Sequence, residues 1–272
     1  MKPSIRWAVY LVLGLLFLAL LLATVRGYSI QSLALVACSV VLFLCAWWAC
    51  VQLLGLRNTT VFAVVGLGLG WFAEQMGSSR GWFFGRYTYT DVLGPRLGDV
   101  PLVIPLMWFA LCFVGYILAK MILWREPTAR MPGWPQRLIT AVLAAMLVTA
   151  FDLGADPYFV FVLKAWIMQK TDGGWFGETL QGFAGWVLIS LSIVMLVQRL
   201  MRIEAPAEPS KRVQIAALVP IGIYTSGMVF QMIWGHPIET RAVAFFAMGI
   251  PVLAAAVAWW QWRSGVMKGV AR

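Results

Sequence analysis

The sequence contains little charge, and this scarcity excludes an ordinary soluble domain. Only 12% of its 272 residues are charged and 61% are hydrophobic, and the mean hydropathy is +0.82. Soluble domains carry about 25% charged residues. Long polar and low-complexity segments are absent too, so we expect no appended soluble module. We therefore predict a single integral membrane domain over residues 1–272, with the lipid bilayer as its surroundings.

Histidine and cysteine are scarce as well. There is one histidine, and none of the four cysteines forms a Cys-x-x-Cys pair. The cysteines lie inside apolar runs, which is typical of small hydrophobic residues rather than of disulfides or metal ligands. The sequence also has no Gly-rich phosphate loop and no Ser-His-Asp pattern. We therefore expect no metal and no other cofactor.

Acidic residues are fewer than basic ones, and the net charge is +10. The basic residues lie in short loops between apolar runs, where membrane insertion places them. The charge thus reflects topology, and we expect no nucleic-acid partner.

Eight apolar runs are long enough, or nearly so, to cross a bilayer, which takes about 20 residues. We predict an all-α, polytopic transmembrane helix bundle with about eight spans, or seven if one short run does not cross. The segment Tyr158–Met168 is too short to span and is predicted as an interfacial or re-entrant helix. The runs lie near Trp7–Val25, Ser32–Leu54, Thr60–Gln75, Leu102–Leu123, Leu138–Phe151, Gly182–Met201, Val213–Trp234 and Val243–Trp262.

The distribution of charge predicts an orientation. Eight spans place thirteen basic residues on the side of the termini and seven on the other side. The positive-inside rule then predicts cytoplasmic N- and C-termini in the cell's inner membrane. Eight of the eleven carboxylates fall on the opposite side, and acids contribute little to topology. We expect a functional cavity at that end; the alternative is a set of solvated acids paired with Arg80, Arg86 and Arg96.

Two loops on the acidic side share one chemistry. In the first, Glu74 ends a short apolar run, aromatic residues follow, and threonines alternate with Tyr87 and Tyr89 in a short extended pattern. Pro101 fits the first turn of the next helix. In the second, Asp152 and Asp156 are four residues apart, so a helix would present them on one face. Asp156-Pro157 fits an N-cap with a first-turn proline equally well.

Carboxyl groups beside aromatic side chains suit acid catalysis in an apolar pocket. A desolvated carboxyl can act as a general acid near neutral pH. An aromatic face stabilises a nearby cation by roughly 0.5–2 kcal/mol. Together they favour protonation of an alkene in a membrane-resident isoprenoid. The structural alternative is an interfacial belt of tryptophan and phenylalanine.

The stretch from Glu74 to Trp186 resembles the integral-membrane carotenoid biosynthesis proteins, which include gamma-carotene 1',2'-hydratases and bisanhydrobacterioruberin hydratases. The resemblance is carried by Glu74, Gly81-x-x-x-Gly85-x-Tyr87-x-Tyr89, Leu93-Gly94, Val100-Pro101-Leu102, Pro105, Trp108, Asp152, Asp156-Pro157, Trp166, Gly174, Gly177 and Phe183-x-Gly185-Trp186. The sequence departs from the family pattern at Thr179 and Gly182, where proline and asparagine are usual.

The resemblance implies a bacterial carotenoid 1,2-hydratase-like lyase that adds water to the terminal C1'–C2' double bond of an acyclic carotenoid. Glu74 or Asp152 would protonate C2', and Asp156 would orient the water. Alternatives are isomerisation or cyclisation of the end group, and non-enzymatic carotenoid binding or transport. Other enzymes of the pathway would be further partners. The candidate substrate-binding residues are Trp82, Phe84, Arg86, Tyr87, Tyr89, Trp108, Trp166, Trp175 and Trp186.

Overall fold

A computed structural model describes residues 29–131, 133–202 and 210–265, and it is an all-α bundle as predicted. Its helices are α1 (Ile30–Arg80), α2 (Val103–Trp124), α3 (Trp134–Pro157), α4 (Leu180–Leu200), α5 (Lys211–Trp234) and α6 (Glu239–Ser264). Each of the six is long and apolar enough to cross a membrane.

The predicted count of seven to eight spans is wrong for the described residues, which have six candidate spans. The predicted run Trp7–Val25 lies outside the described residues. The second and third predicted runs form the two halves of α1, which is one of the six candidate spans although its backbone is non-helical at Gly55. The polar residues just after Gly55, including Asn58 and Thr59, are helical again. Their side chains bond back to the carbonyls of Leu54 and Gly55, which satisfies them inside the helix.

Helix α1 bends back on itself at Gly55, so that its two arms run antiparallel. Gly55 has φ 78° and ψ 158°, a conformation in the region that favours glycine. Cys50 and Thr59 interact across the bend, although nine residues of straight helix would hold them about 13 Å apart. A Cβ on Gly94, beyond the end of the second arm, would meet Val36 in the first arm at 2.9 Å.

Helix α2 forms the centre of the bundle. It is apolar on all sides, and such a helix is stable only when other helices surround it. Its Phe109 ring packs against Phe43 of the first arm of α1 and Phe62 of the second arm, with ring centroids 5.2 and 5.7 Å apart. Large apolar side chains on the outer helices, such as Ile250 and Leu253, are exposed at the periphery of the bundle.

Short strands join the two acidic-side loops. Strand β1 (Tyr87–Tyr89) confirms the extended pattern and pairs antiparallel with β4 (Trp166–Met168). A second hairpin pairs β2 (Arg96–Leu97) with β3 (Val100–Pro101). A 3₁₀ turn, Asp91–Leu93, lies between β1 and β2.

Two local predictions and one open alternative at these loops are wrong. Tyr158–Met168 is not one helix, since a π-helical turn ends at Val162 and the chain then extends into β4 to pair with β1. Pro101 lies in β3 rather than in the first turn of α2, and Leu102 is the N-cap. Asp156-Pro157 ends α3 instead of starting a helix, because the α3 hydrogen-bonding pattern continues into the π turn.

Candidate active site

Glu74 lies inside the second arm of α1, six residues before the helix ends, rather than at its end as predicted. Its side chain is 5% exposed. The Tyr89 hydroxyl donates to Oε2 at 2.8 Å and the Trp108 indole Nε1 donates to Oε1 at 2.8 Å. The Tyr87 hydroxyl also donates to Oε2. Three donors from β1 and α2 therefore hold one carboxyl in a fixed orientation.

The two tyrosines are suited to this task because they stay protonated. Burial, followed by the neighbouring charge of Glu74, raises the pKa of Tyr87 well above its usual range. The same two causes, in the same order, raise the pKa of Tyr89. Both hydroxyls remain neutral donors at physiological pH, and hydrogen bonds from donors favour the charged form of the carboxyl that accepts them.

A second group of carboxyls faces Glu74 from α3 and from the loop before α4. Asp152 and Asp156 are both within α3, as the spacing predicted for a helix, and both are buried. Glu178 is 2% exposed and lies within hydrogen-bonding distance of Asp156. Asp152 interacts electrostatically with both Glu178 and Glu74. The four carboxyls therefore share one site, although 78 residues separate Glu74 from Asp152 along the chain.

The site has no cationic partner among the described residues. The one ion pair in the described part of the chain joins Arg96 to Asp91 at 2.7 Å, on the exposed surface and outside the site. Pairing with arginine thus accounts for Asp91 and not for the buried acids. Asp152 Oδ2 and Glu178 Oε1 are buried and accept no hydrogen bond within the described part of the chain. Buried polar atoms without partners are rare in folded proteins, and a proton, a water molecule or a ligand can satisfy them.

Aromatic rings cover the Glu74 side of this site. Trp108 and Trp186 stack with ring centroids 4.5 Å apart. Phe84 lies 6.1 Å from Trp108 and 6.3 Å from Trp186. Tyr87 and Tyr89 meet edge to face at 5.3 Å. The structure brings these five predicted residues together around one carboxyl.

The remaining predicted residues lie outside this cluster of five rings. Trp166 contacts Tyr89 at 5.9 Å and extends the aromatic wall through β4. The Trp175 indole donates to the Leu153 carbonyl at 2.8 Å, which anchors the Glu178 loop over α3. Arg86 is exposed and lines a cavity of about 150 Å³ that Phe84 also lines. Trp82 is 51% exposed, and its one ring contact among the described residues is with Phe83.

Glu178 is the residue that sequence reasoning missed. Its position between a Gly-rich loop and the first residue of α4 looked like an ordinary loop acid. Gly173 pairs with Gly177 in one β-bridge, and Trp175 pairs with Glu178 in a second one. A Cβ on Gly173 would meet the Glu178 carbonyl at 1.9 Å. The density of glycines immediately before an acid was the available signal for a tight turn that directs this side chain inward.

The backbone is strained beside the aromatic and acidic residues. Phe83 has φ 60°, Lys164 φ 50° and Phe176 φ 50°. Left-handed conformations are uncommon in residues other than glycine and cluster at functional sites. Thr179, at a departure from the family pattern, has a structural role as the N-cap of α4 and accepts from the Gly182 amide.

Comparison with known proteins supports a carotenoid connection. Residues 27–253 match the carotenoid biosynthesis protein family. The chain is 34% identical over 124 residues to a bisanhydrobacterioruberin hydratase from Haloarcula japonica, a match that covers 45% of this chain and 39% of that protein. The match therefore spans well under half of the relative's length. No solved structure matches. Because the family match covers most of the sequence, the chain belongs to the carotenoid biosynthesis protein family.

Proposed function

We propose that this protein is a carotenoid end-group hydratase, which adds water across the terminal C1'–C2' double bond of an acyclic carotenoid. The family membership supports a carotenoid-pathway enzyme, and the name of the haloarchaeal relative favours hydration. One observation carries the proposal: four buried carboxyls face one another beside stacked indoles, at one end of an apolar bundle.

The proton comes from the α3 side of the site. Asp156 and Glu178 lie within hydrogen-bonding distance, and two carboxyls can bond to each other only when one carries a proton. Burial raises the pKa of Glu178, and a buried pair of carboxyls disfavours loss of the proton that they share. Asp152, whose Oδ2 has no partner among the described residues, delivers a proton to C2' and is reprotonated by the Asp156–Glu178 pair.

Protonation of C2' leaves a tertiary cation at C1', and the Glu74 side of the site stabilises it. The indoles of Trp108 and Trp186 present π faces, each worth roughly 0.5–2 kcal/mol toward a cation. Glu74 accepts three hydrogen bonds, which fix the orientation of its carboxyl beside the cation. A water oxygen bonds to C1' and loses one proton to a carboxylate. The alkene gains one water molecule, and no electrons are transferred.

The substrate is lipophilic and enters from the bilayer. The cavity of about 150 Å³ lined by Phe84 and Arg86 lies on the β1–β4 side of the site, where an end group can approach the aromatic cluster. We place the protein in the inner membrane with cytoplasmic termini, and other pathway enzymes are its expected neighbours.

Expression in a host that accumulates lycopene or gamma-carotene tests the proposal. We expect pigments heavier by one water molecule, detected by mass spectrometry. Asp152→Asn removes the proton donor and should lower the product by about 10²–10⁴-fold, the usual contribution of general acid catalysis. Glu74→Gln replaces one oxygen of the carboxyl that accepts three hydrogen bonds with an amide group and should cause a comparable loss. Asp172→Asn changes an exposed acid near the same loop and should keep the wild-type yield.

Other outcomes would contradict hydration. Products of unchanged mass would show that the same cation leads to isomerisation or cyclisation. Unchanged pigment that co-purifies with the protein, with no effect of the two acid variants, would indicate carotenoid binding or transport.

A further inference from the structure

The larger of the two cavities described for this chain lies away from the carboxyl site. Its volume is about 300 Å³, some ten times the volume of a water molecule in the liquid. The bend of α1, Lys120 of α2 and the end of α4 line it. At 1.5 Å per residue, Lys120 is about 18 Å along α2 from Trp108, and Asn58 is about 24 Å along α1 from Glu74. The cavity therefore lies at the opposite end of the bundle.

The lining of this cavity is cationic. Four basic side chains line it, and no carboxylate does so among the described residues: Lys120, Arg130, Arg137 and Arg202. Glu126 is near enough to Lys120 to interact electrostatically, and it also accepts a hydrogen bond from Thr128. One neighbouring carboxylate thus balances only part of the positive charge.

Lys120 is the unusual member of this group. It is 3% exposed, and within the described ranges its ammonium donates no hydrogen bond to a protein acceptor. Its one close aromatic neighbour is Tyr116, whose ring centroid is 5.3 Å from Nζ. Burying an ammonium without a full set of acceptors is costly, and ionisable groups at membrane depth are usually functional.

The surrounding residues hold the cavity in shape rather than neutralise it. Asn58 Nδ2 donates to the carbonyls of Leu54 and Arg202, and its Oδ1 accepts from the Arg202 amide. Gln198 Nε2 donates to the Arg137 carbonyl, and Arg137 Nε donates to the Met131 carbonyl. These bonds position the backbone of two arginines at the cavity wall.

We propose that this cavity is a phosphate-binding site, which takes either inorganic phosphate or the phosphate of an anionic lipid headgroup. Guanidinium and ammonium groups are the usual protein ligands of phosphate, and basic pockets between helix ends bind anionic headgroups. The anion supplies the acceptors that Lys120 lacks. This site is independent of the hydratase proposal, because it shares no residue with the carboxyl cluster.

Thermal unfolding of the full-length protein in a neutral detergent tests the site. Inorganic phosphate and short-chain phosphatidic acid are the probes, with short-chain phosphatidylcholine and equal-ionic-strength sodium chloride as references. A ligand that binds the folded state raises the unfolding temperature with its concentration. We expect saturable stabilisation by at least one probe and by neither reference. Stabilisation by phosphate assigns a soluble ligand, and stabilisation by phosphatidic acid alone assigns a lipid.

Variants separate a site from general surface charge. Arg137→Gln should weaken binding of the active probe about tenfold or more, since hydrogen bonds to charged groups contribute that much. Arg199→Gln is the matched control, as Arg199 is an exposed arginine at the end of α4 that is not part of the cavity lining. Equal weakening by both variants, or no saturable stabilisation of the wild type, overturns the proposal.

Lys120→Met distinguishes a binding role from a structural one. Without phosphate its unfolding temperature should equal or exceed that of the wild type, because the substitution removes a poorly compensated buried charge. Its affinity for the probe should fall at least about tenfold. A lower unfolding temperature with unchanged affinity would show that Lys120 serves the fold alone.

Discussion

Glu178 and Glu74 are both buried acids, but their surroundings differ in a way that suits different tasks. Glu74 receives three donors and no other acid lies within hydrogen-bonding distance of it among the described residues. Glu178 has a buried oxygen without a partner in that part of the chain, and its neighbour is another acid, Asp156. The three donors hold the Glu74 carboxyl in one orientation, whereas Glu178 and Asp156 can share a proton between them. The two residues therefore suit a positioned carboxyl and a proton store.

This contrast predicts a pH-dependent stability that Glu178 controls. Burial raises the pKa of Glu178 above its ordinary value of 4.5, and its contact with Asp156 lowers it by less. Because the pKa is raised in the folded state, the folding stability that goes with a protonated Glu178 is fully present below pH 4.5. It is lost as the pH rises through the folded-state pKa. Glu178→Gln mimics the protonated form and should escape that loss.

Unfolding temperatures measured from pH 4 to 8 check this prediction. Wild type and Glu178→Gln should unfold at similar temperatures at the acidic end, and the variant should be the more stable at neutral pH. Asp172→Asn serves as the control, because Asp172 is exposed and its side chain remains hydrated in the folded protein. A constant difference between wild type and Glu178→Gln over the whole range would contradict the assignment.

At the scale of elements, the site depends on close contact between α1 and α2. Gly70 is one helical turn before Glu74, on the same face of α1. A Cβ there would be 2.6 Å from Cβ and Cγ of Trp108. Gly70 therefore leaves the space into which the Trp108 indole fits, and from there its Nε1 reaches the Glu74 carboxyl.

Gly70→Ala tests this packing. The added methyl should displace Trp108, lower the stability by about 1–3 kcal/mol as overpacking does, and reduce the proposed hydratase activity by loosening Glu74. Gly68→Ala is the matched control, because a Cβ on Gly68 would meet no atom within 4 Å, and it should be neutral or stabilising by up to about 1 kcal/mol. Thermal unfolding and pigment yield measure both effects, and equal behaviour of the two variants would contradict the prediction.

At the scale of the whole molecule, opposite charges occupy opposite ends of the bundle. The carboxyl cluster and the strand-bearing loops lie at one end, and the basic cavity lies at the other. The loop that contains Asp172 and the loop that contains Arg130 are thus separated by the length of the helices. The positive-inside rule predicts that the basic end faces the cytoplasm.

Labelling of introduced cysteines tests this orientation. In a chain whose cysteines are replaced by alanine (Cys38, Cys45, Cys50 and Cys112), we expect Asp172→Cys to react with a membrane-impermeant maleimide in intact cells. Arg130→Cys should react only after the inner membrane is permeabilised. Both positions are exposed, so a difference in labelling reports the side of the membrane. The reverse pattern would invert the predicted topology.

Local signals were sufficient to predict several parts of this molecule. Hydropathy located the helices from Ser32 to Trp262, because the cost of exposing backbone and charge to lipid acts on each segment separately. The alternation of Tyr87 and Tyr89 predicted β1, and the four-residue spacing of Asp152 and Asp156 predicted a shared helix face. The ends of two helices were predicted wrongly. Helices α1 and α3 continue past Glu74 and Asp152, because protein groups surround these acids there instead of water.

The sequence by itself determined a helical membrane bundle, its acidic and basic ends, and the acids and aromatics of the candidate site other than Glu178. Only the tertiary structure decided which of them meet. The pairing of β1 with β4, the fold-back of α1 at Gly55 and the inward turn of Glu178 depend on contacts between distant segments. Such contacts form where packing and hydrogen-bond satisfaction coincide, and periodicity within one segment does not encode them.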